Sequence, residues 1–191
     1  MAPSAGAVLP AWCVRLIGEL DAADHKATAL LIGLNPGQLN WQPVPGSWSV
    51  GQCLEHLCIT NELYLPAMSG SLAGKPASSI QEVKPGWFGQ WFIKNFIAPS
   101  PQTKKARAPR KIVPRARVEA SVLDRFLRSN QAVRELVRHA GAYDVNRIRF
   151  RNPFVPLIRF TVGTGLEIVA KHQLRHLLQA ERARQAAGFP A

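Results

Sequence analysis

Two histidines, His172 and His176, stand four residues apart in the run Lys171-His172-Gln173-Leu174-Arg175-His176. On a helix, at about 100° per residue, their rings sit about 40° apart and can reach one common point. A third, His56, falls inside an apolar stripe at helical spacing formed by Val50, Cys53, Leu57, Thr60, Leu63, Tyr64, Ala67 and Met68, with Glu55 and Glu62 on the opposite side. A buried imidazole without a partner costs on the order of 1–3 kcal/mol. One shared metal would satisfy all three rings. Imidazole ligates zinc, nickel and iron, and three neutral His around an open fourth position is a catalytic arrangement. His25, between Asp24 and Lys26, suits a solvated face, and His139 beside Arg138 suits a helix end. The candidate metal ligands are therefore His56, His172 and His176, with no catalytic side chain assigned beyond them. A single hydrogen-bonded core histidine is the plainer alternative for each.

Helices must carry these rings. Cys13, Leu16, Ile17, Leu20, Ala27, Leu30, Leu31 and Leu34 recur at three- and four-residue steps, and Asn35-Pro36-Gly37 should stop that first helix. Ser49-Val50-Gly51-Gln52 is a capping box and should open a second helix running to about residue 69. Residues 70–117 hold Gly70, Gly74, Pro76, Pro85, Pro99, Pro101, Pro109 and Pro114, residues that break regular structure, and read as an insertion with one short amphipathic helix over 87–97. A third helix is expected over 118–140, ended by Gly141. Thr164-Gly165-Leu166-Glu167 has the form of another capping box, from which a fourth helix should run to about residue 187. On that helix Ile168, Val169, His172, His176 and Gln179 share an arc able to face the interior, while Lys171, Arg175 and Arg182 should face solvent. Gln179 is placed to hydrogen-bond a ligand ring, a water or a substrate, or simply to pack. No convincing strand alternation occurs, so the expected fold is an all-α four-helix bundle, with residues 1–191 as one domain.

Composition narrows the function class. The chain has 191 residues, 24 Lys and Arg against 12 Asp and Glu, and a formal net charge of +12. Residues 83–118 carry nine bases and no acid, whereas residues 1–82 carry three bases and six acids. No uninterrupted apolar run approaches a membrane span, and the N-terminus lacks the basic start of a signal peptide. Three cysteines without paired spacing suggest reduced thiols and a cytoplasmic protein.

The run Leu39-Asn40-Trp41-Gln42-Pro43-Val44-Pro45-Gly46-Ser47-Trp48-Ser49, followed by Leu54-Glu55-His56-Leu57, resembles the entry to the second helix of the DinB-like superfamily. Lys171-His172-Gln173-Leu174-Arg175-His176-Leu177-Leu178-Gln179-Ala180 is similar to that family's last-helix signature, and the stretch from Trp87-Phe88-Gly89 through Lys104, Lys105 and Pro109 resembles the insertion of a longer subgroup. The likeness spans roughly residues 10–187. It implies a bundle of up-down-down-up connectivity holding a divalent metal at His56, His172 and His176. It also implies metal-dependent chemistry on a small-molecule substrate, either S-transfer or isomerisation with a low-molecular-weight thiol or hydrolysis, and homodimer formation.

Three functions compete on this basis. A metal-dependent enzyme comes first, with thiol transfer slightly ahead of hydrolysis. A nucleic-acid binder is second: Lys104, Lys105, Arg107, Arg110, Lys111, Arg115 and Arg117 put seven bases in fourteen residues behind Trp87, Trp91 and Phe92. The plainer view of that arm is a solvated, proline-stiffened loop, with the aromatics packing the short helix onto the bundle. An interaction protein with a structural metal is third.

Overall fold

A computed structural model describes residues 8–99, 108–155 and 157–191. The first long helix, α1 (Ala11–Leu31), buries Trp12, Cys13, Leu16, Leu20, Ala27 and Leu30. It ends before the expected Asn-Pro-Gly stop, because Gly33 takes a positive φ of 77° that reverses the chain. Asn35 starts a helix instead of ending one. Its side chain accepts from Gln38 N–H, Gln38 returns the bond, and Pro36 occupies the first turn of the short α2 (Pro36–Asn40).

Ser49 caps α3 (Val50–Leu72) as its capping box requires, and the helix runs three residues past the expected end. In the insertion, α4 (Trp87–Phe92) continues into a wider π-turn over Ile93–Ile97. Phe88 and Phe92 pack on Phe160, but Trp87 is 81% and Trp91 45% exposed, so the aromatics are only partly used in packing. A short 3₁₀ turn over Arg110–Ile112 follows. The expectation for Lys104, Lys105 and Arg107 lies outside the described residues.

The third long helix, α5 (Val122–Ala140), begins four residues later than 118. Asn40 explains the delay: its side chain donates to Val118 C=O at 2.9 Å and accepts from Val118 N–H at 2.7 Å, which holds Val118 out of the helix. The four-helix bundle stands as expected, with the addition of two short strands where none was expected. β1 (Arg149–Arg151) pairs antiparallel with β2 (Arg159–Thr161), burying Phe150 and Phe160 and exposing Arg149, Arg151 and Arg159. The last helix, α6 (Val162–Arg184), is capped by Thr161 rather than Thr164. Glu167 does not close a capping box; it pairs with Arg15 and Lys171.

Contacts between helices fix the connectivity. The start of α1 meets the end of α5 through Cys13 and the Val137 carbonyl, so those two run antiparallel. Arg15–Glu167 and Lys26–Glu181 align α1 with α6 in parallel. Cys58–Val122 and Asn61–Ser129 make α3 and α5 parallel. His56 meets His172 while the Cβ position of Gly165 faces Met68, so α3 and α6 are antiparallel. Taken in order, the four long helices run up, down, down, up. Two apolar clusters fill the interior, one around Leu16, Met68 and Leu166 and one around Leu57, Phe126 and Leu177. Between them Asn61, Ser129, Asn130 and Gln173 form a buried polar layer with mutual hydrogen bonds of 2.6–3.0 Å. Each of these polar side chains has a partner, as burial demands. Among the described residues no helix is long and apolar enough to cross a membrane.

Candidate metal centre

The cap of α3 sets the height of His56. Ser49 and Gln52 exchange two bonds of 3.1 Å, so the helix starts at a fixed residue and His56 falls on its second turn. His172 and His176 come from the middle of α6, one turn apart. Where the two antiparallel helices touch, the three imidazoles converge. His56 Nε2 and His172 Nε2 are 3.2 Å apart, and one ring nitrogen from each histidine lies within 4.8 Å of the other two. The three ring centroids are separated by 4.9, 4.5 and 4.5 Å. An edge of a tetrahedral site with metal–nitrogen bonds of about 2.05 Å is about 3.3 Å, so the closest pair already has that spacing.

Hydrogen bonds on the outer nitrogens set the tautomers. His56 Nδ1 is 2.6 Å from the Ile112 carbonyl, which can only accept, so Nδ1 carries the proton and Nε2 turns its lone pair inward. His176 Nδ1 lies 2.9 Å from Gln179 Oε1 and is held in the same way. Trp48, the residue before the α3 cap, lays its ring over two of the imidazoles, 4.7 Å from His56 and 5.5 Å from His176. His56 and His176 are buried, whereas His172 keeps part of its surface exposed.

Electrostatics keep these rings neutral. Loss of solvent pushes His56 down to about 4, although its bond to Ile112 favours the charged form, and Arg175 adds repulsion. His172 falls well below its ordinary value through burial first, and then because its own protonated form would be repelled by a proton on His176 or His56 and by Arg175. His176 falls likewise through burial, His56 and Arg175, against the opposing bond to Gln179. Neutral imidazoles are the form that ligates metal. The donor set fits a divalent ion.

His56, His172 and His176 come together, and Gln179 holds one of the rings. His25 and His139 are exposed and lie elsewhere. Glu55 does not face solvent: it is 3% exposed, accepts from Arg115 N–H at 2.6 Å, and sits beside the Arg115 and Arg125 side chains. In the second half of the basic arm the backbone is fastened to the bundle, while the side chains of Arg110, Lys111, Arg115 and Arg117 are exposed. Gln52 donates to the Arg115 carbonyl, so residues 112–118 form a strap fastened across α2 and α3. Arg175, expected in solvent, is half-buried and donates to the Phe96 carbonyl at 3.0 Å. Sequence reasoning missed Ile112, whose role is a backbone carbonyl without a side-chain signature. It also missed Trp48, for which the position before a capping box was the only signal.

The sequence profile of the DinB superfamily matches residues 19–180, most of the chain. The protein belongs to the DinB superfamily. Among solved structures, this DinB-superfamily chain is similar to YfiT from Bacillus subtilis, with a TM-score of 0.61 and 16% identity, covering 98% of this chain and 94% of that one. YfiT is described as a probable metal-dependent hydrolase with an unusual four-helix bundle topology. At that identity the likeness shows the shared fold. No curated protein matches the chain.

Proposed function

We propose that this DinB-superfamily protein is a divalent-metal-dependent hydrolase with His56, His172 and His176 as its ligands. The observation supporting this most strongly is the pair of outer-nitrogen bonds to Ile112 and Gln179. They pre-orient two neutral rings toward a third, which is how ligating histidines are ordinarily fixed. A zinc, nickel or iron ion held by three neutral imidazoles supplies Lewis acidity, because no ligand charge offsets its own. The chain's residues prepare that chemistry. Ile112 and Gln179 hold tautomer and ring angle, Trp48 shields one side from water, and the exposed part of His172 marks the side a small molecule approaches. The likeness to a probable hydrolase weighs toward hydrolysis over the thiol transfer expected from the sequence.

The test begins with metal analysis of the protein purified without a His-tag, followed by assays of simple esters and amides beside small thiols with electrophiles. One bound divalent ion and chelator-sensitive turnover of esters or amides are expected. Turnover confined to thiols would replace hydrolysis with transfer. A metal with four protein ligands and no turnover would make the centre structural.

A further inference from the structure

Charge pairing around the three histidines leaves one feature unaccounted for. The two helices that carry the rings hold four acids, and each has basic neighbours: Glu55 sits by Arg115 and Arg125, Glu62 by Arg125, Glu167 by Arg15 and Lys171, and Glu181 by Lys26. The insertion whose two described ends flank the site has one acid, Glu82, which sits by Lys84, and residues 83–118 contain none. No ion pair joins Arg175 or Arg182 on α6 to a carboxylate among the described residues, the acids of α1 and α5 included. Arg175 stands three residues after His172 and one before His176, half-buried, and one of its guanidinium N–H groups donates to the Phe96 carbonyl. Such a bond fixes the direction of the fork without neutralising it. Its charge is felt by all three imidazoles.

A half-buried guanidinium without a counter-ion is costly unless something else supplies the anion. Beside three neutral ligands and a divalent ion, the local charge is positive with nothing from the protein to balance it. We propose that Arg175 anchors an anionic group of the substrate, so that the site acts on organic anions carrying a carboxylate or phosphate rather than on neutral molecules. This rests on the metal-dependent reading above for its chemistry, but not for the anion contact itself. The planar guanidinium offers paired N–H donors that match both oxyanions. Arg182, exposed and two turns further along, strengthens the local field without contact.

Titration calorimetry on the full chain, zinc-loaded and chelated, tests this with benzoate and phenyl phosphate as probes and benzamide as the neutral control. Arg175→Gln should weaken both anions at least about tenfold, the loss expected for one charge-assisted hydrogen bond, with metal content and benzamide binding unchanged. Arg175→Lys should recover part of that loss. Arg182→Gln, at an exposed position that does not threaten the fold, should weaken the anions about twofold. The stronger of the two anionic probes identifies the substrate's oxyanion. No anion binding by the wild type, or equal binding by Arg175→Gln, overturns the proposal. Parallel loss of benzamide binding and thermal stability overturns it too, and leaves Arg175 as an anchor for the insertion. A wild type that takes up no divalent metal would defeat the hydrolase reading, while Arg175-dependent anion binding by that protein would still uphold the anion site.

Discussion

His56 Nδ1 donates to the Ile112 carbonyl at 2.6 Å, joining one ring of the three-histidine cluster to the strap that returns the insertion to the bundle. The strap has a second fastening next door on α3, where the carboxylate of Glu55 accepts the Arg115 N–H at 2.6 Å. Successive residues of one helix thus hold one segment at two points three residues apart. The insertion is part of the site's framework.

Glu55→Ala should show this coupling. It leaves the Arg115 amide without its acceptor, at a cost of about 1–3 kcal/mol, and frees the strap that positions Ile112. Both a lower melting temperature and weaker metal binding are expected. A loss of stability with metal affinity untouched would mean that the strap does not orient His56.

Gln179→Leu addresses the other oriented ring. Losing a partner of a ligating imidazole typically costs 10–100-fold in metal affinity, and a similar loss is expected here with little change in helicity. Competition against a chelator of known affinity measures it. Unchanged affinity would assign Gln179 to packing alone.

The three histidines were legible because a 3.6-residue period shows which side chains share a face before their partners are known. The Ser49 cap was legible for a similar reason, since both of its bonds close within four residues. What escaped depends on distant or featureless groups. Val118 looks like the start of a helix until Asn40, 78 residues earlier, claims its amide and carbonyl. Arg149-Phe150-Arg151 and Arg159-Phe160-Thr161 alternate as strands should, yet three residues are too few to separate a strand from a loop by pattern. Thr164 and Glu167 have the spacing of a capping box, but the Thr161 cap and the Arg15 and Lys171 side chains meet those groups' needs first. Arg175 sat on an arc that looked solvated, because the group that meets it is the Phe96 backbone carbonyl, which has no side-chain signature and lies 79 residues earlier.

Glu167 gives the protein an acid-sensitive joint between α1 and α6. Burial alone would raise its pKa, but hydrogen bonds and charge from Lys171 and Arg15 outweigh burial and hold it below the usual carboxylate value of 4.5. A carboxyl more acidic in the folded state stabilises the fold above its unfolded pKa, and that contribution disappears as pH falls through the folded one. Glu167→Gln should therefore melt below the wild type at neutral pH, and the gap should close below about pH 4.5. A gap that does not change with pH would show that the side chain's packing, not its charge, joins the helices.

His176→Ala should separate a metal that does chemistry from one that holds the fold. Two imidazoles seldom retain a divalent ion against solvent, so most metal affinity should be lost. The fold should survive, because the apolar clusters around Met68 and Phe126 and the polar layer at Asn130 and Gln173 close without using the three rings. Chelated wild type should behave alike: still helical, with a single cooperative melt. The expected cost of the substitution is the modest one of trimming a buried ring that leaves its neighbours Gln179 and Trp48 able to reach water. Circular dichroism with a thermal scan, run beside metal analysis on the same samples, gives both readings. Loss of helicity on chelation would identify a structural metal, as in small domains that fold only when loaded.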